Sequence, residues 1–404
     1  MTDLEDRLRR DLRKFASHAR PESISGPQTP QVQRASRTVR WLAPTAAVLA
    51  VVGTIAGVSL AGAHGPRTGS GQPTRSQTTA GMPRYYVAIV SRIIDGDTTV
   101  TTRAVVHDSA SGAALASVRV PRLVTHGSAI APSISAASDD RTFVITETGG
   151  NPPDHRLAWF FLLRVAANGQ SVRLTRLPIS VPRSLAIGGA ELSPDGTRLL
   201  MQEQSCHVGG CYYTGIRVVT IATGAVRTWT TRATGAPFDV SWAGNSTVAF
   251  LWGKRYRLLN ATSGGSNLLA SRPIASPAAQ QYGYVPGALV TPDQTKLITS
   301  TVQNIPDSNG TDTVVAKIIE MSARTGKLLR ILSTTTVHGA TRGGQGSAGI
   351  LDDDCAVLSL APTGTNVLVS CFTFGRVDNN SFTPLPGFPS GSSSGIGGQD
   401  TAAW

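Results

Sequence analysis

Charged and aromatic residues are scarce in this chain of 404 residues, at 15% and 6% of the composition. Glycine and proline are plentiful, with 42 and 24 copies. Few charges and many turn formers suit a chain of short strands better than a set of amphipathic helices. The composition therefore predicts an all-β fold, in a chain long enough for one large domain or two ordinary ones.

Catalytic and metal-binding motifs are missing from the sequence. It holds no phosphate-binding glycine-rich loop ending in Lys-Ser/Thr and no His-Glu-x-x-His. Residues 391–395 fit Gly-x-Ser-x-Gly, but they lie in a low-complexity tail without the strand and helix that a nucleophile elbow requires. No catalytic residue, cofactor or metal site is predicted.

Clusters of basic residues are also missing after residue 40, although the formal net charge is +12. The arginines there are scattered singly, without a basic run or helix. Binding of nucleic acid requires such a patch, so no nucleic-acid partner is predicted.

Residues 41–63 form an uncharged stretch of 23 residues, WLAPTAAVLAVVGTIAGVSLAGA. As a helix it would be roughly 34 Å long, enough to cross a bilayer core of about 30 Å. Arg34, Arg37 and Arg40 precede it, which predicts a single-pass membrane anchor with the N-terminus in the cytoplasm and the remainder outside. A helix buried in a soluble protein and a signal peptide cleaved after Ala63 are the alternatives.

The arm before this stretch, residues 1–40, begins with apolar residues at helical spacing: Leu4, Leu8, Leu12 and Phe15. Such a stripe predicts a short amphipathic helix that binds a cytoplasmic partner or the inner leaflet. A helix without a specific role is an equal alternative. Residues 64–83, rich in Gly, Ser, Thr, Pro and Gln, are expected to form a flexible stalk.

A turn phrase recurs along the remainder of the chain. Ser-Pro-Asp-Gly-Thr-Arg-Leu-Leu at 193–200 is matched at 291–298 and 361–368, and more weakly at 138–145 and 242–249. Between these copies lie second turns flanked by apolar alternation, in the segments 105–118, 164–174, 218–229, 258–269 and 318–332. Two hairpins in a period near 50 residues predict one four-stranded blade of a β-propeller.

The phrase resembles the turns of bacterial TolB-like propellers, over roughly residues 85–388. We expect a propeller over 84–388 with six blades, one of them assembled from distant chain segments, followed by a flexible tail at 389–404. Seven blades, or a β-sandwich, are the alternatives. The widest spacing between copies predicts an insertion at 338–349.

The four cysteines all follow the predicted anchor, in a compartment expected to be oxidising. Cys355 and Cys371 lie symmetrically about Thr363 in the third copy, so they should face each other across a hairpin and form a disulfide. Cys206 and Cys211 are predicted to pair within the connection of another blade. A metal site at Cys206, His207 and Cys211 is disfavoured, because a second ligand pair is missing nearby.

The sequence favours a membrane-tethered, non-catalytic binding or sensing propeller with an unknown protein or envelope ligand. Signalling through its arm is a sub-hypothesis of this prediction. The order of arm, span and domain is similar to that of membrane-bound anti-sigma regulators. An envelope hydrolase or lyase with its site in the propeller channel is one alternative, which carboxylates and histidines converging on a channel mouth would favour. An adhesin for acidic wall polymers is another.

Overall fold

The computed structural model describes most of the chain from residue 81 onward. The described residues are 81–93, 100–121, 132–149, 157–182, 185–207, 210–231, 233, 235–263, 265–274, 288–306, 311–341, 355–361, 363–371, 373–378, 380–388 and 401–404. The predicted arm, anchor and most of the stalk lie outside these residues, as do Leu4, Leu8, Leu12 and Phe15. None of the helical segments within the described ranges has the length and apolar character of a membrane span.

The described residues form 24 strands and a 3-10 turn at Leu268–Ala270. The first twelve strands are β1 (Tyr85–Ile93), β2 (Val100–Asp108), β3 (Ala114–Arg119), β4 (Ser133–Ala136), β5 (Thr142–Gly149), β6 (Leu157–Val165), β7 (Val172–Arg176), β8 (Leu185–Leu192), β9 (Arg198–His207), β10 (Gly210–Thr220), β11 (Val226–Thr230) and β12 (Pro237–Trp242). The next twelve are β13 (Thr247–Trp252), β14 (Arg255–Asn260), β15 (Arg272–Pro273), β16 (Ala288–Val290), β17 (Lys296–Pro306), β18 (Thr311–Ser322), β19 (Leu328–Thr341), β20 (Cys355–Leu360), β21 (Val367–Cys371), β22 (Thr373–Asp378), β23 (Ser381–Pro384) and β24 (Thr401–Ala403).

These strands make six antiparallel four-stranded sheets, which are the blades of a propeller. Blades II to VI each use four consecutive strands, beginning with β4, β8, β12, β16 and β20 respectively. Blade I consists of β1, β2 and β3 with β24 added beside β1. The prediction of an all-β, six-bladed propeller is therefore confirmed, and the described residues form no seventh blade.

The core consists of six apolar clusters, one between each pair of neighbouring blades. Successive side chains of a strand point to opposite faces of its sheet, so a middle strand serves two clusters. In β5, Phe143 and Ile145 pack toward blade I while Val144 packs toward blade III. The middle strands are therefore apolar at consecutive positions rather than alternating with polar residues.

The turns of the repeated phrase are held by their own side chains. The Asp195 carboxylate accepts hydrogen bonds from the Ser193 hydroxyl at 2.6 Å, the Thr197 backbone N–H at 3.0 Å and the Thr197 hydroxyl at 2.7 Å. Gly196 follows with φ of 70°, a left-handed conformation that favours glycine. Asp293 makes the same set of bonds with Thr291 and Thr295. The Asp of the phrase is thus a structural residue of the turn.

Two features of the repeat differ from the prediction. In blade II it is Asp139, not Asp140, that accepts the bonds from the turn, at 2.8 Å from the Thr142 backbone N–H. In blade IV the segment 258–269 does not form a second hairpin. Its C-terminal part is the 3-10 turn, and the outer strand is the short pair Arg272–Pro273.

The wide spacing before the last copy of the phrase comes in part from long strands in blade V, where β17, β18 and β19 have 11, 12 and 14 residues. The predicted insertion at 338–349 is wrong at its start, because residues 338–341 belong to β19. Residues 342–349 lie outside the described part of the chain.

The two ends of the described chain also need correction. Thr401–Ala403, predicted to lie in a flexible tail, pair with β1 as the innermost strand of blade I. Residues 81–83, assigned to the stalk, lie on the propeller: the Asn366 amide donates to the Gly81 carbonyl at 3.1 Å, and Met82 is buried.

Cys355 and Cys371 lie opposite each other in the β20–β21 ladder and form a disulfide, as predicted. The backbones of Cys206 and Cys211 are likewise opposite each other across β9 and β10. The side chains of these two residues lie outside what the structure describes, so their pairing stays a prediction.

Candidate functional site

The inner strands of the six blades surround a central channel. They are β24, β4, β8, β12, β16 and β20, and each lies next to the inner strands of the two adjoining blades. A cavity of about 130 Å³ occupies the channel and is lined by all six of them. This volume holds several water molecules or a small polar group, but not a folded chain.

The cavity lies toward the mouth where the repeated turns are found. Turn residues Ser138, Pro194, Gly244 and Pro292 line it. Immediately before each turn the inner strand ends, so the last residues of the strands supply the rest of the wall. Small side chains such as Ser135 and Ala136 leave room at the axis.

Glu191 is the ionisable residue of this wall, near the end of β8. Its carboxyl Oε2 accepts a hydrogen bond of 3.3 Å from the Trp242 backbone N–H, and the Trp242 indole donates to the Glu191 backbone carbonyl at 3.2 Å. Although the residue is partly exposed to the cavity, protein surrounds the carboxyl. Its burial raises the pKa to about 7, against the smaller opposing effect of the Trp242 N–H.

Polar groups without protein partners lie around the same cavity. The hydroxyls of Ser241 and Ser359 and the indole Nε1 of Trp404 are buried and have no hydrogen-bond partner among the described residues. Each residue lines the cavity, from blades IV, VI and I respectively. Buried polar atoms are normally satisfied, so three unsatisfied polar atoms beside one cavity depart from the usual pattern.

Asp239 is a second unusual acid on an inner strand. It has φ of 46°, a left-handed conformation rarely adopted by residues other than glycine. The pairing of β12 with β13 shifts between Phe238 and Ser241, which brackets this residue. Burial raises the Asp239 pKa, and the Tyr256 hydroxyl donates to its carboxylate at 3.1 Å, which opposes the rise.

The arrangement can carry out proton transfer near neutral pH. A carboxyl with a pKa near 7 is present in both protonation states, so it can donate or accept a proton. Among the described lining residues the channel holds one carboxylate and no histidine, so the converging cluster of carboxylates and histidines is not found there. No group of His, Cys, Asp and Glu within the described ranges is arranged to hold a metal ion.

The sequence contained a signal for this site that was missed. In the three clear copies of the phrase, the residue two positions before the first residue of the phrase lines the cavity: Glu191, Leu289 and Ser359. The residue type at this position differs from copy to copy, although the sequence of the turn is repeated. Extending the alignment of these copies by two residues places Glu191 at this position, but it does not show that the carboxyl is buried.

No protein-family model matches the chain, and no curated protein matches it. Solved structures with a similar fold include a luciferin-regenerating enzyme, at 13% identity and a TM-score of 0.39 over 76% of this chain and 96% of that one. They also include the tricorn protease, at 10% identity and a TM-score of 0.37 over 76% of this chain and 30% of that one. A third is a puromycin hydrolase mutant complexed with PGG, at 15% identity and a TM-score of 0.34 over 70% of this chain and 40% of that one.

These similarities concern the fold alone, and the chain spans well under half the length of the latter two proteins. The three proteins in these structures are enzymes, whereas the sequence predicted a non-catalytic binding or sensing module. That expectation is withdrawn.

Proposed function

We propose that the protein is an enzyme, a hydrolase or lyase, whose site is the channel cavity and whose general acid–base is Glu191. The observation that carries the proposal is the burial of this carboxyl in the channel wall, with a pKa of about 7, beside polar groups that lack protein partners. Sites of this kind are enriched in perturbed titratable groups.

The chemistry assigned to Glu191 is a single proton transfer. In its protonated form it donates to a leaving group, and in its ionised form it takes a proton from an attacking water or from a carbon acid. The Ser241 and Ser359 hydroxyls and the Trp404 N–H orient the substrate by hydrogen bonds. The small cavity limits the reacting part of the substrate to a narrow polar group.

The place of action is proposed from the sequence. Residues 41–63 would anchor the chain in the membrane, with residues 1–40 in the cytoplasm as a site for a partner and the propeller outside. The similarity of the turns to those of TolB-like propellers is likewise proposed from the sequence. In that setting, envelope peptides and sugar polymers are the available substrates.

The test uses the full-length protein in detergent micelles against a panel of chromogenic esters, anilides and glycosides. We expect turnover of at least one class with an ionisation near pH 7, because the Glu191 pKa is about 7. Glu191→Gln should reduce the rate by about 10²-fold or more, the usual share of a general acid–base.

Glu320→Gln is the matched control, because Glu320 is a buried carboxylate paired with Lys296 and Arg330 in blade V, away from the cavity. Its melting temperature and that of Glu191→Gln would be measured beside the activity. Full turnover by Glu191→Gln would refute the assignment. No turnover of any substrate, together with infrared titration of the Glu191 carboxyl near pH 4, would refute the proposal as a whole.

A further inference from the structure

A second cavity lies outside the channel, on the outer half of blade I. We name it the I–VI cleft, because it opens on the side of blade I that is turned toward blade VI. Its volume is about 690 Å³, within the range of small-molecule sites. The described residues that line it are all different from those of the channel cavity. They are Val90, Thr101, Arg103, Val105, His107, Ala114, Leu115, Ala116, Ser117 and Gly387.

The main lining side chains lie on one face of blade I. Arg103, Val105 and His107 are alternate residues of β2, and alternate side chains of a strand share a face. Ser117 of β3 is directly opposite Val105, so it lies on the same face. Ala88 of β1 is also opposite Val105 and belongs to the apolar cluster between blades I and VI. These groups therefore meet on one surface, which faces blade VI.

Two arginines supply the charge at one end of this surface. Arg103 and Arg119 are directly opposite each other in the β2–β3 ladder, and both are exposed. Like charges at directly opposed positions destabilise a sheet. Neither arginine has a carboxylate partner in the part of the chain that the structure describes. Two adjacent cations without a counter-charge favour an anion between them.

An apolar floor adjoins the arginines. Val90 is directly opposite Arg103 in the β1–β2 ladder, and Val105 is two residues further along β2 on the same face. The Arg103 guanidinium donates to the Ser117 hydroxyl at 2.5 Å. Because Ser117 lies opposite Val105, this bond turns the guanidinium along the strand toward the floor. The cation and the apolar surface are thus next to each other.

His107 forms the other end of the lining, and its ring is fixed. The ring stacks on Tyr86, with 4.7 Å between the centroids and 4° between the planes. Its Nδ1 lies 2.9 Å from the Gly112 carbonyl oxygen, which can only accept, so Nδ1 donates. A wall that is held by two contacts exists before a ligand binds, which lowers the entropic cost of binding.

We propose that the I–VI cleft binds a small organic acid, a carboxylate or a phosphate monoester with an apolar body. Arg103, Arg119 and the Ser117 hydroxyl hold the oxyanion, and Val90 and Val105 contact the body. The oxygens of an ionised acid only accept hydrogen bonds, so they match the guanidinium donors. No acidic side chain competes for these donors among the described lining residues. The proposal does not depend on the channel being catalytic.

The test is titration calorimetry of the full-length protein in non-ionic detergent micelles, with the heat of titration into detergent alone subtracted. Phenyl phosphate is used in one arm, benzoate in a second and inorganic phosphate in a third. Binding of phenyl phosphate or benzoate supports the proposal and identifies the oxyanion. Inorganic phosphate, which lacks the apolar body, should bind at least about tenfold more weakly than phenyl phosphate.

Substitution of each arginine tests the charge of the cleft. Arg103→Gln should weaken binding about tenfold or more, because it removes the cation beside the floor. Arg119→Gln should also weaken it. In low salt this second variant should melt at a higher temperature than the wild type without ligand, because the repulsion between the two arginines is removed. Both side chains are exposed, so both variants should fold.

Arg173→Gln is the matched control, since Arg173 and Arg164 form another exposed pair of directly opposed arginines, in blade II, and do not line the cleft. It should bind within about twofold of the wild type. The proposal is overturned by absence of heat in all three arms up to about 10 mM ligand, or by unchanged binding in Arg103→Gln. Equal affinity for inorganic phosphate and phenyl phosphate, or a lower melting temperature of Arg119→Gln, would also overturn it.

Discussion

Glu191 lies two residues before one copy of the repeat phrase and Asp195 lies within it, and their environments shift their pKa values in opposite directions. Burial raises the pKa of Glu191 to about 7. At Asp195, partial burial is outweighed by hydrogen bonds from Ser193 and Thr197, which lower the pKa. One carboxyl is held toward its neutral form in the channel, and the other is held ionised in the turn.

This difference predicts opposite effects of pH on stability. Glu191 has a pKa near 4.5 when unfolded and about 7 when folded, so its contribution is fully present below pH 4.5 and is lost as pH rises through 7. Glu191→Gln should therefore gain stability relative to the wild type between about pH 4 and pH 8. The gain is up to about 3 kcal/mol, from 1.36 kcal/mol per pKa unit.

Urea denaturation of both proteins across this pH range measures the effect. Asp195→Asn is the contrasting variant, because a lowered pKa contributes stability that is present above the unfolded value of 3.8 and lost below it. It should be less stable than the wild type at neutral pH and approach it in acid. If the Glu191→Gln difference does not change with pH, the carboxyl is not buried as described.

At the scale of elements, the second hairpins depend on tight turns whose glycines have positive φ. Gly112 in blade I has φ of 72° and Gly224 in blade III has φ of 68°. Each donates its backbone N–H to the residue four positions earlier, at 2.8 Å. Their surroundings differ: a Cβ on Gly112 would lie 2.2 Å from the Pro386 carbonyl carbon, whereas a Cβ on Gly224 would meet nothing within 4 Å.

Alanine at these two glycines should distinguish the cost of backbone strain from the cost of a steric clash. Gly224→Ala carries the cost of a left-handed alanine alone, about 1–2 kcal/mol. Gly112→Ala adds a clash with backbone from blade VI, so it should cost about 1–3 kcal/mol more. Urea midpoints of the two variants measure the difference. Equal midpoints would mean that the contact between blades I and VI yields without loss of stability.

Most hairpins could be predicted at this scale because turn chemistry is local. The segments 164–174 and 218–229 form the expected β6–β7 and β10–β11 hairpins. The segment 258–269 does not, although it has the same apolar flanks. In blade IV, Asn267 caps the 3-10 turn, and its backbone forms a bridge with Thr230 of blade III. A contact with a neighbouring blade replaced the local preference.

For the whole molecule, the ring depends on a strand of three residues from the chain's far end. In β24, Ala402 and Ala403 pair with Ala88 and Val87 of β1, and the following Trp404 is buried and lines the channel cavity. This strand joins the two ends of the propeller, because it belongs to blade I but follows blade VI in the chain.

Deletion of residues 401–404 from the full chain should therefore destabilise the entire ring. Trp404→Ala, which keeps the β1–β24 ladder, should cost about 3–5 kcal/mol through the lost side chain. The deletion should cost more, since it also exposes the inner edge of β1. Thermal unfolding of the wild type and both variants provides the comparison. If the deletion variant has the same melting temperature as Trp404→Ala, the β1–β24 ladder does not contribute to the stability of the closed ring.

The sequence by itself determined the blades. A Pro-Asp-Gly turn, its side-chain hydrogen bonds and the pairing of Cys355 with Cys371 follow from residues close together in the chain. The tertiary structure alone decided the closing strand and the channel site. Ala402 and Ala403 carry no strand pattern of their own, and their position depends on a partner more than 300 residues away. The pKa of Glu191 is raised by burial in the folded protein, and no local pattern records that burial.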